Sequence, residues 1–153
     1  MTDFEHYSSP LGTRYASAAM QRLFSPRTRI RLWRRLWIAL AEAEREVGIA
    51  IPDAAIAEMR QRAEEIDFAR AEEYEARFRH DVMAHVHAFG DAAPAARSFI
   101  HLGATSAYVT DNADLLIMRE ALRLVEARLG AALEALRAFA ARSRAMPPLA
   151  YTP

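Results

Sequence analysis

The sequence predicts an all-α protein: an N-terminal helical domain followed by the first long helix of a helix-bundle domain. Two observations predict this. Apolar residues recur every three or four positions over most of the 153 residues. From about Thr110 to Arg144 the chain has no proline and a single glycine, so nothing in that stretch interrupts a helix.

The first long helix is predicted between Pro26 and Gly48. Ser25 is a favoured N-cap, proline is favoured at the first helical position, and glycine is favoured just past a helix end. The apolar stripe between these ends consists of Ile30, Trp33, Trp37, Leu40 and Val47. The stretch is therefore predicted to be an amphipathic helix of about 20 residues.

Three shorter helices are predicted between residues 52 and 94. The first follows a proline, the second follows an aspartate N-cap, and the third begins at the R-H-D triplet. Their starts are predicted at Pro52, Asp67 and about His80. The first carries Ile56, Met59 and Ala63, the second continues through Tyr74, and the third ends around Gly90 and Pro94.

The last helix carries a seam of apolar residues at heptad spacing. The seam consists of Leu115, Met118, Leu122, Val125, Leu129, Ala132, Leu136 and Phe139. About 35 residues would form a helix about 50 Å long, which exceeds the width of a compact domain of this size. We expect oligomerisation through a helix bundle; the alternative is a helix that folds back on its own domain. The predicted domains are residues 1–110 and residues 111–153.

Composition excludes several classes of function. The 20 basic residues are all arginine and balance 20 acidic residues, so there is no general attraction to nucleic acid or to an anionic membrane. The absence of cysteine excludes disulfides and thiolate metal sites. No apolar run approaches the roughly 20 residues of a membrane span, and the N-terminus M-T-D-F-E-H-Y is acidic where a signal peptide would be basic. The expected location is the cytoplasm.

Three of the five histidines lie between Phe78 and Gly90. Asp81 and His85 are four residues apart, so the carboxylate could fix the tautomer of the imidazole. The pair of histidines four residues apart that is typical of zinc sites is absent, so a metal site is not expected.

An anion site and a purely structural role are both compatible with this stretch. Arg79, His80 and Asp81 fall at the predicted start of a helix, where unpaired backbone N–H groups and the helix dipole attract anions. An arginine there would complete a pocket for a phosphate or a carboxylate. The alternative is that Asp81 only caps the helix and that Arg79 pairs with an acidic neighbour such as Glu75.

Two other loops suggest the same chemistry. In H-L-G-A-T-S, Gly103 permits close approach of the backbone, and Thr105 and Ser106 offer hydroxyl and amide groups just ahead of the long helix. The alternative for this loop is capping by Ser106 or Thr110. The segment from residue 7 to 17 places Arg14 and Tyr15 at the edge of an irregular stretch, which alone indicates little.

Together these motifs resemble the adenylosuccinate lyases, a family within the fumarase and aspartase superfamily. The resemblance rests on S-P-L-G-T-R-Y-A-S at residues 9–17, the helix at 23–44, R-H-D-V-M-A-H-V-H-A-F-G at 79–90 and I-H-L-G-A-T-S-A-Y-V-T-D-N at 100–112. It implies a β-elimination that releases fumarate from adenylosuccinate, giving AMP, and from the succinylated aminoimidazole carboxamide ribotide in purine synthesis. No cofactor and no metal is implied, and the implied assembly is a homotetramer.

The resemblance also assigns residues. It implies that Arg14, Tyr15, Arg79, His80, Asp81, Thr105 and Ser106 bind substrate. His85 and His87 are expected to be structural, and His101 is expected to pack.

The chain departs from the family pattern at its end. The general acid of the family is the histidine of a Thr-His pair, and here the corresponding position is Pro153. The serine base of the family lies on a loop further downstream. We therefore expect a fragment without catalytic residues of its own. Two other functions stay open: another lyase of the superfamily, such as argininosuccinate lyase, and a non-catalytic helical oligomerisation module.

Overall fold

The computed structural model describes residues 9–147 and 149, and the described residues form helices and connecting loops without a β-strand. The predicted all-α class is confirmed. The six α-helices of the described residues are α1 (Ala18–Leu23), α2 (Pro26–Glu46), α3 (Asp53–Arg62), α4 (Phe68–Phe78), α5 (Asp81–Ala92) and α6 (Ser106–Ser143). A π-helical turn (Leu11–Tyr15) precedes α1, and a 3-10 turn (Pro94–Ala96) follows α5.

Helix α2 is the centre of the fold and has the predicted ends. The hydroxyl of Ser25 accepts a hydrogen bond from the backbone N–H of Thr28 at 3.3 Å, and Pro26 is the first helical residue. Gly48, just past the helix, has a φ of +99°, which glycine adopts without strain. Helix α2 packs against both α3 and α6, while α4 packs against α5.

The core forms where α2, α3, α5 and the start of α6 meet. Trp37 and Phe89 are fully buried and stack with ring centroids 6.2 Å apart. Other members of this core include Ile30, Trp33, Ile56, Met59 and Val82. This core fixes where α2 and α5 lie relative to each other, and therefore where the loops at their ends meet.

Arg34 is the one charged residue buried in the described part of the chain, at 1% exposure. Its guanidinium donates hydrogen bonds to the backbone carbonyls of Arg62 and Glu65, both at 2.8 Å, and lies 4.3 Å from the ring centroid of Phe89. Burial lowers its pKa to about 10. Arg34 thus satisfies carbonyl groups that the end of α3 leaves without helical partners.

The end of α4 differs from the prediction by four residues, and the end of α5 agrees with it. Helix α4 continues to Phe78 instead of ending near Tyr74, and these two rings stack with centroids 5.7 Å apart. Helix α5 ends at Ala92, between Gly90 and Pro94. Glycine at position 90 avoids a close contact, because a Cβ there would lie only 3.1 Å from Cγ of Arg97.

Helix α6 has 38 residues and is therefore about 57 Å long. It begins at Ser106, four residues before the predicted start. Its buried residues are Val109, Ala113 and Ile117, all in its first third. The helix continues through residues 110 and 111 without a break, and the division into domains at this point remains a prediction.

The predicted seam is exposed. Its seven large apolar side chains have between 49% (Met118) and 69% (Leu122) of their surface accessible. No other part of the described chain covers the seam face of α6, although α1 contacts the helix. Among the described residues, no helix combines the length and the apolar character that crossing a membrane requires.

Candidate substrate-binding site

Two helix starts meet at one point of the surface. His80 is the N-cap of α5, and its Nδ1 accepts a hydrogen bond from the backbone N–H of Met83 at 3.4 Å. Its Nε2 lies 3.4 Å from the hydroxyl oxygen of Ser106, the first residue of α6. The fold thus brings the R-H-D motif and the H-L-G-A-T-S motif together, as the resemblance implies.

The hydrogen bonds of His80 define its tautomer when it is neutral. Because Nδ1 accepts from Met83, the proton must lie on Nε2, which can then donate to the hydroxyl of Ser106. The imidazole is exposed, so this N–H is also accessible to a ligand. The Nε2–H group of His80 is therefore a hydrogen-bond donor at the start of a helix, where anions are favoured.

Asp81 bonds locally and does not reach His85. Its Oδ1 accepts a hydrogen bond from the backbone N–H of Val82 at 2.7 Å and lies 3.7 Å from Nδ1 of His80. Nδ1 of His85 is buried, and no described residue bonds to it. The sequence-based suggestion that Asp81 fixes the tautomer of His85 is therefore wrong for that nitrogen.

Arg79 ends α4 in a left-handed conformation, with φ +53° and ψ +41°. Its backbone N–H donates to the carbonyl of Glu75 at 2.7 Å. Its side chain is exposed, and no ion pair within residues 9–147 includes its guanidinium, so the alternative of a salt bridge to Glu75 is not observed. A non-glycine residue in this conformation is uncommon, and Arg79 directly precedes the N-cap of α5, His80.

Thr105 and Ser106 leave the first turn of α6 open. Thr105 is the N-cap residue, but its side chain makes no capping hydrogen bond. The hydroxyl of Thr110 donates to the carbonyl of Ser106 at 3.3 Å and does not cap. The alternative of capping by Ser106 or Thr110 is therefore wrong. The N–H of Tyr108 donates to the carbonyl of Thr105 at 3.0 Å, whereas the N–H groups of Ser106 and Ala107 have no helical partner and remain available for an anion.

The loop before α6 contains two residues with positive φ, His101 at +65° and Gly103 at +63°. Nδ1 of His101 accepts a hydrogen bond from the indole N–H of Trp37 at 3.1 Å. Burial and the nearby His80 lower the pKa of His101. His101 packs, as expected, but this hydrogen bond was missed, because no local pattern relates residues 64 positions apart.

The carboxyl group of Glu44 lies close to this loop. A Cβ on Gly103 would lie 3.7 Å from Oε1 of Glu44. The other carboxyl oxygen of Glu44 is buried and has no hydrogen-bond partner among the described residues, and burial raises the pKa of this carboxyl group. The adjacent Tyr108 donates its hydroxyl to the carbonyl of Leu36 at 3.2 Å, which ties α6 to α2.

The other two histidines of the 78–90 stretch pack behind the site. The ring of His85 lies edge-on to Trp33 and to Phe68, with centroids 5.8 Å and 6.2 Å away. Burial and the charge of Arg34 lower the pKa of His85 to about 4. His87 contacts the rings of Tyr74 and Phe78, with centroids 5.2 Å and 4.8 Å away.

Arg14 and Tyr15 lie elsewhere in the chain. Arg14 is stacked over the ring of Tyr15 on the exposed π-helical turn, with its guanidinium carbon 5.6 Å from the ring centroid. Tyr15 lines a groove with the part of α6 from Leu124 to Leu129. Ser106 precedes Leu124 by 18 residues, or about 27 Å of helix. One chain therefore does not bring these two residues to the site at His80.

The position expected of the general acid, Pro153, lies outside the described residues.

Within the described residues, no three His, Cys, Asp or Glu side chains converge in a way that could hold a metal ion.

The chain is similar to proteins named adenylosuccinate lyase. It is 46% identical to the adenylosuccinate lyase of Saccharomyces cerevisiae over 155 residues, which is 99% of this chain. The chain belongs to the adenylosuccinate lyase family. The corresponding enzyme of Schizosaccharomyces pombe is also 46% identical over 99% of the chain, and that of Schistosoma mansoni is 46% identical over 82%.

The chain spans about a third of the length of these adenylosuccinate lyases: 32% of the two yeast proteins and 26% of the Schistosoma protein. No protein-family model matches the chain. The family assignment therefore rests on the individual relatives.

Proposed function

We propose that the protein carrying this chain is an adenylosuccinate lyase, which cleaves adenylosuccinate to AMP and fumarate and acts likewise on the succinylated aminoimidazole carboxamide ribotide. One observation carries the proposal: in a chain 46% identical to two adenylosuccinate lyases, the R-H-D and H-L-G-A-T-S motifs meet, with Nε2 of His80 3.4 Å from the hydroxyl of Ser106. Localisation in the cytoplasm belongs to the same proposal.

The residues at this meeting point bind the anionic groups of the substrate. Each substrate carries a phosphate and two carboxylates. Arg79 supplies a planar guanidinium, His80 and Ser106 supply N–H and O–H donors, and the first turn of α6 supplies backbone N–H groups. Asp81, which holds the amide of Val82, keeps the first turn of α5 in place.

The elimination itself needs two proton transfers. A base removes the proton beside a carboxylate, and an acid protonates the departing nitrogen while the negative charge on the intermediate is stabilised. In this proposal the site at His80 binds and orients the substrate, and other segments of the enzyme supply the acid and the base.

Assembly completes the site. In the proposal, Arg14 and Tyr15 bind substrate. In a single chain, however, their π-helical turn lies beside the part of α6 that begins at Leu124, about 27 Å along the helix from Ser106. Packing of the exposed seams of several α6 helices in a bundle would bring residues of different subunits together. The proposed assembly is a homotetramer.

The test is a substrate comparison on the full-length enzyme. Cleavage of adenylosuccinate is followed by the change in absorbance, and argininosuccinate is offered in parallel under the same conditions. We expect turnover of the first compound and none of the second. Turnover of argininosuccinate alone would assign the protein to another lyase of the superfamily, and turnover of neither by a folded tetramer would reject the proposal.

A further inference from the structure

The indole of Trp37 connects the core to the substrate-binding loop. Trp37 lies on α2 and is fully buried. Its N–H donates to Nδ1 of His101 at 3.1 Å, and the two rings are edge-on with centroids 6.0 Å apart. The hydrogen bond therefore runs from the most buried part of the fold to the residue at which the 101–105 loop begins.

His101 needs such a partner because of its backbone. Its φ of +65° is in the left-handed region, which a residue with a Cβ adopts only at a cost. The carbonyl of His101 accepts a weak hydrogen bond from the N–H of Ala104 at 3.4 Å, so this conformation also shapes the turn that follows. That turn leads directly to Thr105 and Ser106.

We propose that Trp37 is a positioning residue for the substrate-binding site: its hydrogen bond to His101 holds the 101–105 loop in the conformation that places Ser106 beside His80. The inference rests on the proposed function. Without the bond, the left-handed turn loses the contact that offsets its cost, and the loop spends less time in the binding-competent arrangement. The apparent affinity for substrate falls by the same factor as that population.

Trp33 provides a matched control. It lies one turn earlier on α2, is also buried, and contacts Trp37 with ring centroids 6.3 Å apart. Its indole nitrogen, however, has no hydrogen-bond partner among the described residues. Trp33→Phe and Trp37→Phe therefore make the same change of ring in the same core, but only the second removes a hydrogen bond to the loop.

The first measurement does not depend on activity. Hydrogen exchange of the full-length enzyme is followed by mass spectrometry on peptides covering residues 101–106. Trp37→Phe is expected to accelerate exchange there about 5- to 10-fold, the factor that one net hydrogen bond provides, and Trp33→Phe is expected to leave it near the parent rate. Should Trp37→Phe fail to fold, His101→Leu removes the same bond from the loop side and is measured in the same way.

The second measurement is the kinetic consequence with adenylosuccinate. Trp37→Phe should raise KM about 5- to 10-fold and leave kcat within about twofold, whereas Trp33→Phe should change neither. Equal exchange in the two variants would overturn the inference, and so would faster exchange without a change in KM. If the parent enzyme does not cleave adenylosuccinate, the proposed function fails, and the exchange comparison still decides whether Trp37 holds the loop.

Discussion

Arginine side chains serve opposite purposes in this chain. Arg34 is buried with its guanidinium bonded to backbone carbonyls, and its contribution is to the packing of α2 against the end of α3. Arg79 is exposed, lies at the start of α5, and has no ion-pair partner within residues 9–147. Since the planar guanidinium matches phosphate and carboxylate groups, the second environment is suited to binding and the first to structure.

Replacement of Arg79 tests its role in binding. In the full-length enzyme, Arg79→Ala should weaken substrate binding roughly 30- to 150-fold, because a charged hydrogen-bond pair contributes about 2 to 3 kcal/mol. Steady-state kinetics give the change in KM, and thermal denaturation should show little change in Tm. Arg77→Ala is the control, since Arg77 is also exposed, lies over the ring of Phe78 and forms no ion pair within residues 9–147. Unaltered kinetics with a large fall in Tm would instead assign Arg79 a structural role.

His85 should make stability depend on pH. Its pKa is about 4 in the folded protein, because burial and the charge of Arg34 disfavour the imidazolium, and about 6.5 when unfolded. Between these values the unfolded state binds more protons, so the free energy of unfolding should fall as the pH falls from about 6.5 towards 4. His101, whose pKa is also lowered, acts in the same direction.

The variant His85→Leu isolates this contribution. Chemical denaturation at fixed protein concentration, at pH 6.5 and at pH 4.5, should show a smaller loss of stability in the variant than in the parent, because leucine cannot bind a proton. The remaining groups titrate in both proteins and cancel in the comparison. An equal loss in the two proteins would mean that His85 does not titrate with the lowered pKa.

Among the helices, α6 is the one whose predicted apolar seam is exposed in the single chain. Its heptad seam was predicted to need helices beyond the domain, and in the single chain the large seam residues from Leu115 to Phe139 are indeed exposed. Such a row of exposed leucines on one face is costly in water and typical of an interface. The seam is therefore the surface at which copies of the chain would meet in the proposed tetramer.

A charge in the seam should prevent this assembly. Leu122→Glu would bury an unpaired carboxylate among apolar side chains, at a cost of several kcal/mol. Light scattering should show a smaller species than the tetramer proposed for the parent. Ala127→Glu is the control, because position 127 is exposed and lies opposite the seam in the heptad. If Leu122→Glu keeps the size of the parent, α6 is not an interface at that point.

On the scale of the whole molecule, the predicted binding residues form two groups. Arg79, His80, Asp81, Thr105 and Ser106 converge at the starts of α5 and α6. Arg14 and Tyr15 lie about 27 Å away along α6. In a single chain the two groups are separate and open to solvent, so neither encloses a substrate in the proposed site.

A polypeptide of these 153 residues is therefore expected to have no measurable lyase activity, even when circular dichroism shows that it is folded. Each acid or base of a proton-transfer reaction typically contributes 10²- to 10⁴-fold, and an open half-site does not exclude water from the developing carbanion. The measurement is adenylosuccinate absorbance with the purified polypeptide. Turnover above background that disappears in His80→Ala would contradict this expectation and make His80 a catalytic acid.

The sequence by itself determined the all-α class, the start of α2 at Ser25 and Pro26, and the cap of α4 at Asp67. These features could be predicted because helix periodicity and capping depend on residues within four positions of each other. The resemblance added the residues of both motifs, since it compares whole segments with segments of known role.

Only the tertiary structure decided which distant groups meet. His80 lies beside Ser106, 26 residues away; Trp37 bonds to His101, 64 residues away; and Arg34 bonds to the carbonyl of Arg62, 28 residues away. The left-handed backbone of Arg79 and His101 was likewise not predicted, because these residue types seldom adopt it and do so only where surrounding contacts offset the strain. For His101, the indole of Trp37 on α2 supplies such a contact, and no local pattern in the sequence records it.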